Sequence, residues 1–355
     1  MQLLPSLGIG GVERGVVELS RRLSARGFCS IVAANGGDLA RDIVNDGGRF
    51  VHMDCAGKNP LGAAARVRQL HTLLTEESPD IIHVRSRVPG WLLFFARRKT
   101  PRPKAKVVST IHGIYHPGFY SGIMTKADAI ICPSNAVWHY ARKHYNAPES
   151  KLHLIHRGID FDYFDPQKTD SDFCAAFRKR YQLQNKRIAL MAARLTQLKG
   201  HAVFVRALVA RADLTGLMVG GGGASRQKRL LQLAHRAGVA ERIIFAGAQT
   251  NMREMYAIAD ITVSASTRPE AFGRTVAESL AMNTPVAACA HGGALDIVQD
   301  GVNGCLFAPG DISALAAAID RGLLLRDGLR ESVLPMSLDM MFDKTLAVYQ
   351  SLPGS

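Results

Sequence analysis

Short apolar runs that stop at glycine or polar residues and give way to longer amphipathic stretches recur along this chain of 355 residues. Residues 28–34, 80–84, 107–110 and 129–132 show it in the first half, and residues 187–191, 217–219, 243–246 and 286–289 in the second. Such runs are too short for helices, and their continuous apolar character suits strands buried on both faces. Residues 1–7 read as a first strand, followed by Gly8, Gly10 and Gly11 and a helix from Val12 to about Ser24. Parallel sheets covered by helices follow from this alternation, so the expected class is α/β, with two doubly wound, Rossmann-like domains facing a cleft. The length exceeds what one core usually supports. The expected division is residues 1–160 and 161–335, with RGIDFDYFDP (157–166) as linker and a final helix within 336–355.

Hydrophobic content of 47% and a mean hydropathy of +0.02 suit an ordinary folded chain. The formal net charge is +14, and ten of those charges fall net in residues 1–160. That excess suits an anionic partner surface, or serves solubility and local ion pairing. None of the six cysteines forms a close CxxC-type pair, so a reduced, cytosolic chain without a structural zinc is expected. Met1 leads directly into a strand, and no apolar run reaches spanning length. Any membrane association should be peripheral. No RNA-binding or zinc-finger signature is present, so no specific nucleic acid is expected.

Chemistry-bearing residues collect after the strands. The loop at Gly10 and Gly11 is either an anion cradle or a close-packed turn, and it lacks the GKS or GKT of a P-loop. Arg85 and Arg87 follow one strand, and Trp91 opens the apolar run WLLFF before a basic cluster from Arg97 to Lys106. That segment suits either an anionic membrane interface or a core-facing helix end with a solvated loop. His112 precedes Gly113 at a strand end, placed for a phosphate or sugar hydroxyl or simply structural. Arg194 and Lys199, in RLTQLKG, suit a diphosphate or a solvated basic loop. Gly221 lies in a four-glycine run that lets backbone approach a ligand. In SASTRPEAFGRTVAESLA (264–281), Glu270 and Glu278 flank the break at Pro269 and Gly273, as ligand contacts or as capping and surface charge.

Gly10-Gly11 with Glu13, His112-Gly113, Arg194 with Lys199, the Glu270–Glu278 pair and Gly292-Gly293 together resemble a family 4 retaining glycosyltransferase of the GT-B fold. The resemblance covers nearly the whole chain. It implies that Arg194 and Lys199 hold the donor diphosphate and neutralise the leaving nucleotide without a metal or other cofactor. It further implies that Glu278 takes the ribose hydroxyls, Glu270 the transferred sugar, and His112 that sugar near its C6 hydroxyl. Gly10 and Gly11 would let the first loop approach phosphates and acceptor, and the backbone after Phe272, at Gly273, would help hold phosphate and sugar. Glu13, Arg85, Arg87 and Trp91 would lie on the acceptor side, and Arg85-Ser86-Arg87 with Trp91 resembles the lipopolysaccharide branch. The last helix, within 336–355, would pack back on the first domain.

Two positions depart from the family pattern: Arg157, not Asn, precedes Gly158, and Asp296 stands where Glu is usual after Gly292-Gly293. The expected activity is a hexosyltransferase (EC 2.4 class) that moves a sugar from a nucleotide sugar, a UDP-sugar by preference, with retention. The expected acceptor is a lipopolysaccharide-like or lipid-linked glycan, with an anionic membrane surface as a further partner at the cytoplasmic face of the inner membrane. The alternatives are a sucrose- or trehalose-type synthase or phosphorylase on the same fold, and a non-catalytic polyanion- or glycan-binding protein.

Overall fold

The computed structural model describes residues 1–8, 10–57, 59, 62–98 and 105–352. The chain forms two compact units, Met1–Gly158 joined by Leu338–Ser355, and Ile159–Ser337. Lys99, Arg102 and Lys104 of the basic cluster lie outside the described residues, as does Leu61, where the sequence suggests the start of a helix running to Glu76.

The first unit holds seven parallel strands: β1 (Gln2–Leu3), β2 (Ile31–Ala34), β3 (Arg49–His52), β4 (Ile81–Val84), β5 (Lys106–Thr110), β6 (Ala129–Cys132) and β7 (Leu152–Leu154). Their order is β3-β2-β1-β4-β5-β6-β7. Strand β1 is shorter than residues 1–7, because Pro5 has no N–H for a further rung. The helix Gly11–Ala25 buries Val16 and Leu19 against the sheet. The final helix, Leu338–Ser351, inserts Phe342, Val348 and Tyr349 among Leu19, Val108, Ile131 and Ile155. It is also tied by an Arg22–Asp339 ion pair of 2.6 Å.

The second unit holds six parallel strands: β8 (Arg187–Ala192), β9 (Leu214–Val219), β10 (Ile243–Gly247), β11 (Ile261–Ser264), β12 (Val286–Cys289) and β13 (Gly304–Phe307). Their order is β10-β9-β8-β11-β12-β13. Asp300, Gly301 and Gly304 read in the sequence as a hairpin-like turn; the turn closes as a Gly301 N–H to Gly304 carbonyl bond of 2.8 Å, but it leads into β13, a parallel edge strand beside β12. One face of the sheet packs Tyr256, Phe272, Val276 and Leu280, the other Phe204, Leu208, Leu230 and Ile319. The α-helix from His201 ends at Ala207 and tightens into a 3-10 turn at Leu208–Ala210. The Arg242 guanidinium takes up the carbonyls of Leu208, Arg211 and Leu214 there, which closes the helix end.

Each sheet is wound outward from its first strand, so strand order reverses between β1 and β4 and between β8 and β11. Crevices at such reversals, beyond the carboxyl ends of the strands, are where open α/β sheets bind ligands.

Candidate functional site

In the second unit, β8 delivers Arg194 and Lys199, while β11 delivers the loop to Glu270 and the helix Arg274–Ala281. The two loops are stitched together by backbone: the Thr267 N–H donates to the Leu198 carbonyl at 2.8 Å. Gly200 has φ +76°, and a Cβ there would collide with the Ala265 carbonyl, so only glycine allows this crossing. Lys199 Nζ donates to Glu270 Oε1 at 2.7 Å, with the two side chains 28% and 29% exposed. Ser266 Oγ donates to the same carboxylate oxygen. Arg194 is exposed and makes no side-chain ion pair or hydrogen bond among the described residues.

Glu278 lies in the second turn of its helix and is buried, only 6% exposed. Arg274 Nε donates to Oε1 at 2.7 Å and Tyr256 Oη–H to Oε2 at 2.8 Å. The helix is pinned to β11 by a Ser279 Oγ–H bond to Thr262 Oγ1 of 2.8 Å. Gly273, φ +112°, starts the helix, while the Phe272 side chain joins the core. Behind this loop the Gly293 N–H donates to the Glu270 carbonyl at 2.9 Å. A Cβ on Gly292 would lie 2.6 Å from Glu270 N, so the His291–Gly293 segment fixes the backbone that carries Glu270. His291 Nε2–H also donates to the Ser266 carbonyl at 2.8 Å. Gly221 is exposed, in open space, and its carbonyl accepts from Leu195 N–H at 2.9 Å. The second unit thus brings two cations, two carboxylates and an open glycine turn to one strand-order reversal, an arrangement able to hold a diphosphate and hydroxyl groups.

In the first unit, Gly10 caps the helix Gly11–Ala25, and the Glu13 carboxylate folds back over Gly10. His112 follows β5. Its Nδ1 receives a hydrogen bond from Arg157 Nη1 at 2.9 Å, and Arg157 Nη2 donates to the Gly11 carbonyl. Arg85 is buried, 7% exposed, and its guanidinium donates to Thr110 Oγ1 at 3.2 Å and the Gly15 carbonyl at 3.1 Å. It therefore ties the first helix to β5 from inside. Burial lowers its pKa to about 10, against the opposing pull of Tyr349 and Glu18, so it stays charged. His83 Nε2 accepts from Arg85, which leaves Nδ1–H to donate to Tyr349 Oη at 2.6 Å. Arg87 stacks over Tyr115 at 4.0 Å and donates to Ser121 Oγ at 3.2 Å. Trp91 donates through Nε1–H to the Tyr120 carbonyl at 3.0 Å and packs on Phe94, Phe95 and Phe119. This ring cluster is open to solvent, with Phe119 86% exposed, and borders a hollow of about 290 Å³.

Sequence reasoning did not single out Ser266, four residues before Glu270 on an irregular loop, or Tyr256 and Tyr349, whose partners are distant along the chain. The Arg274–Glu278 spacing of i,i+4 on a helix was the one local signal available.

Three histidines are held neutral. Burial, then the charges of Arg85 and Arg157 among others, keeps the His83 pKa well below the usual histidine range. Burial, then Arg157, Arg85 and His83, does the same at His112. Burial pushes His201 down to about 4, against backbone groups of Ala193 and Thr196. A pKa depressed in the folded state means that below about pH 6.5 the unfolded chain takes up protons that the folded chain refuses. Stability should therefore fall with pH below about 6.5, by roughly 1.4 kcal/mol per pH unit for each such histidine. Urea midpoints at pH 7, 6 and 5 should decrease in that order; equal midpoints would remove these histidines from the balance.

Residues 9–163 match the family described as Glycosyltransferase Family 4, and residues 175–333 that described as Glycosyl transferases group 1. A D-inositol 3-phosphate glycosyltransferase of Xylanimonas cellulosilytica is 28% identical over 90% of this chain and 85% of its own length. The crystal structure of a glycosyltransferase from Rickettsia africae superposes with a TM-score of 0.87 at 30% identity, covering 98% of this chain and 97% of that one. Anabaena HepE in complex with UDP and glucose shares the fold, with a TM-score of 0.85 at 21% identity over 99% of each chain.

Proposed function

This chain belongs to the family 4 glycosyltransferases and is a hexosyltransferase of the GT-B fold, and from that premise we propose that it moves a sugar from a UDP-sugar, with retention, to a hydroxyl of an anionic acceptor. The observation that carries the donor assignment is the convergence of Arg194, Lys199, Glu270 and Glu278 at the β8/β11 reversal. Arg194 and Lys199 neutralise the diphosphate, which makes the nucleoside diphosphate a competent leaving group. Glu270 aligns Lys199 and accepts from hydroxyls of the transferred sugar. Glu278 faces the ribose, held in place by Arg274 and Tyr256. Gly221 and Gly273 supply backbone close to the donor, and His112 with the Gly10–Gly11 loop is assigned to the sugar and phosphates. HepE, which shares the fold, is bound to UDP and glucose, in keeping with a UDP-sugar.

The acceptor we propose is phosphorylated: a lipopolysaccharide-like or lipid-linked glycan. The basic first half suits it, and the relatives named for D-inositol 3-phosphate are in keeping with a phosphorylated acceptor. Among the described residues no helix is long and apolar enough to cross a membrane. The ring cluster of Trp91, Phe95 and Phe119, with Arg98 over Phe94 at 4.7 Å, is a surface for shallow insertion at an anionic bilayer.

The deciding experiment is a thermal-shift panel of nucleotide sugars, followed by mass spectrometry of products with phosphorylated acceptors. A selective shift with one UDP-sugar and a hexose-sized mass gain in an anionic acceptor is expected. No shift with any donor would overturn the reading. For the surface, the protein should float with phosphatidylglycerol vesicles and not with neutral ones, and Phe119→Ser with Phe95→Ser should abolish flotation. Equal flotation on both vesicle types, or none, would dismiss it.

A further inference from the structure

Arg157 stands where the family pattern has asparagine, and its side chain joins two parts of the first unit. Nη1 donates to His112 Nδ1 at 2.9 Å, and Nη2 donates to the Gly11 carbonyl at the head of the first helix. A guanidinium carries donors only. Nδ1 of His112 must therefore present its lone pair, and in the neutral ring the proton sits on Nε2. That second nitrogen is buried and has no protein partner among the described residues.

The rest of the environment points the same way. The charged and titratable groups facing the ring are Arg157, Arg85 of the segment after β4, and His83 of β4. None is an anion. The two arginines oppose an imidazolium, and His83 is itself held neutral. Protonation at Nδ1 would also break the Arg157 bond.

The sequence has made room for this side chain. Gly15 lies inside the helix Gly11–Ala25, where glycine costs roughly 0.5–1 kcal/mol relative to alanine. A Cβ at that position would collide with Arg157 Nη2. The glycine and the arginine are one device, built from positions far apart in the sequence.

We infer that Arg157 is a positioning residue that locks His112 as the neutral Nε2–H tautomer, so that His112 serves the transfer as a hydrogen-bond donor to a sugar oxygen and not as a base or a cation. The inference rests on the reading of His112 as a sugar-contacting residue, but its first test does not need activity.

Nitrogen-15 NMR of histidine-labelled protein, with the His112 signals assigned by difference from His112→Asn, reads the tautomer directly. Between pH 5 and 8 the wild type should show Nε2 protonated and Nδ1 bare, without titration. In Arg157→Asn the ring should mix tautomers and take up a proton at higher pH than in the wild type, because a cation that opposed the imidazolium has gone, while burial and Arg85 still hold it below the usual histidine range. Arg157→Lys, which keeps a charge and a donor, should retain the bare Nδ1. Gly15→Ala, which displaces the guanidinium from Nδ1 and leaves its charge in the chain, should mix the tautomers as Arg157→Asn does. In turnover, Arg157→Asn should lower kcat by about 10- to 100-fold with the donor KM little changed, and add an acid limb to the pH profile. A wild-type ring protonated at Nδ1, one titrating near 6.5, or an Arg157→Asn spectrum identical to wild type would overturn the inference. If the tautomer is as stated but His112→Ala turns over like wild type, the sugar-contact reading fails while the positioning role of Arg157 stands.

Discussion

Lys199→Ala should lower kcat/KM for the nucleotide-sugar donor by about 100- to 1000-fold, the range seen when a preorganised donor to developing negative charge is removed. Two effects act together. The cation that would meet the leaving diphosphate is lost, and Glu270, 2.7 Å from Lys199 Nζ, is left facing the same phosphates with its charge exposed. Like charge beside the diphosphate opposes donor binding as well as departure, so KM should rise and kcat fall. The double variant Lys199→Ala with Glu270→Gln removes both charges and should recover part of the donor affinity without recovering kcat. Steady-state kinetics with product detection, set beside donor-induced thermal shifts, separates the two effects. Wild-type kcat/KM and donor shift in Lys199→Ala would take the diphosphate away from this loop.

Glu278→Ala should lower stability by on the order of 3 kcal/mol, the scale for breaking a buried charge pair from one side. Glu278 is 6% exposed and is the acceptor used by both Arg274 Nε and Tyr256 Oη. Removing it takes a carboxylate from both Arg274 and Tyr256 and opens space in the core face that also packs Phe272 and Leu280. Donor affinity should fall as well, since the ribose contact we propose for Glu278 goes with the carboxylate. Glu278→Gln keeps the shape and one acceptor oxygen, so it should unfold at a urea midpoint between wild type and Glu278→Ala while still binding donor weakly. Coincident midpoints for wild type and Glu278→Ala would mean that the carboxylate carries no net structural weight.

The architecture was legible because its determinants are local. Runs such as Arg187–Met191 and Val286–Cys289 are almost wholly apolar and end where glycine or a charged loop begins, so their strands and the doubly wound class follow from pattern alone. Capping was equally local: Asp311 Oδ1 accepts from Ala314 N–H at 2.8 Å, as its place before an apolar helix suggests. Strand β13 escaped because Gly304–Phe307 comes after a turn that reads as a hairpin, and nothing in four residues says whether the partner runs parallel. The positions of Arg194, Lys199, Glu270 and Glu278 after β8 and β11 could be read from strand ends, but their partners could not. Tyr256 reaches Glu278 across the core, and Tyr349 reaches His83 from the other end of the chain. Such pairings follow from tertiary placement and leave no periodic trace. Arg157 shows the limit most clearly: in the sequence it is a mismatch to a family pattern, whereas in the fold it completes the surroundings of His112.

The second unit interrupts the first in sequence, and the two crossings lie together, with Ile159 paired to Ser337 and the Gly158 N–H against Met341 Sδ. This has a consequence for synthesis on the ribosome. The helix Leu338–Ser351 that covers Leu19, Val108 and Ile131 is translated only after all of Ile159–Ser337. The second unit can therefore close its core while the first still waits with an apolar face uncovered and His83 without Tyr349. For the nascent chain, the part made first is finished last. Chaperone demand should accordingly track residues 1–158.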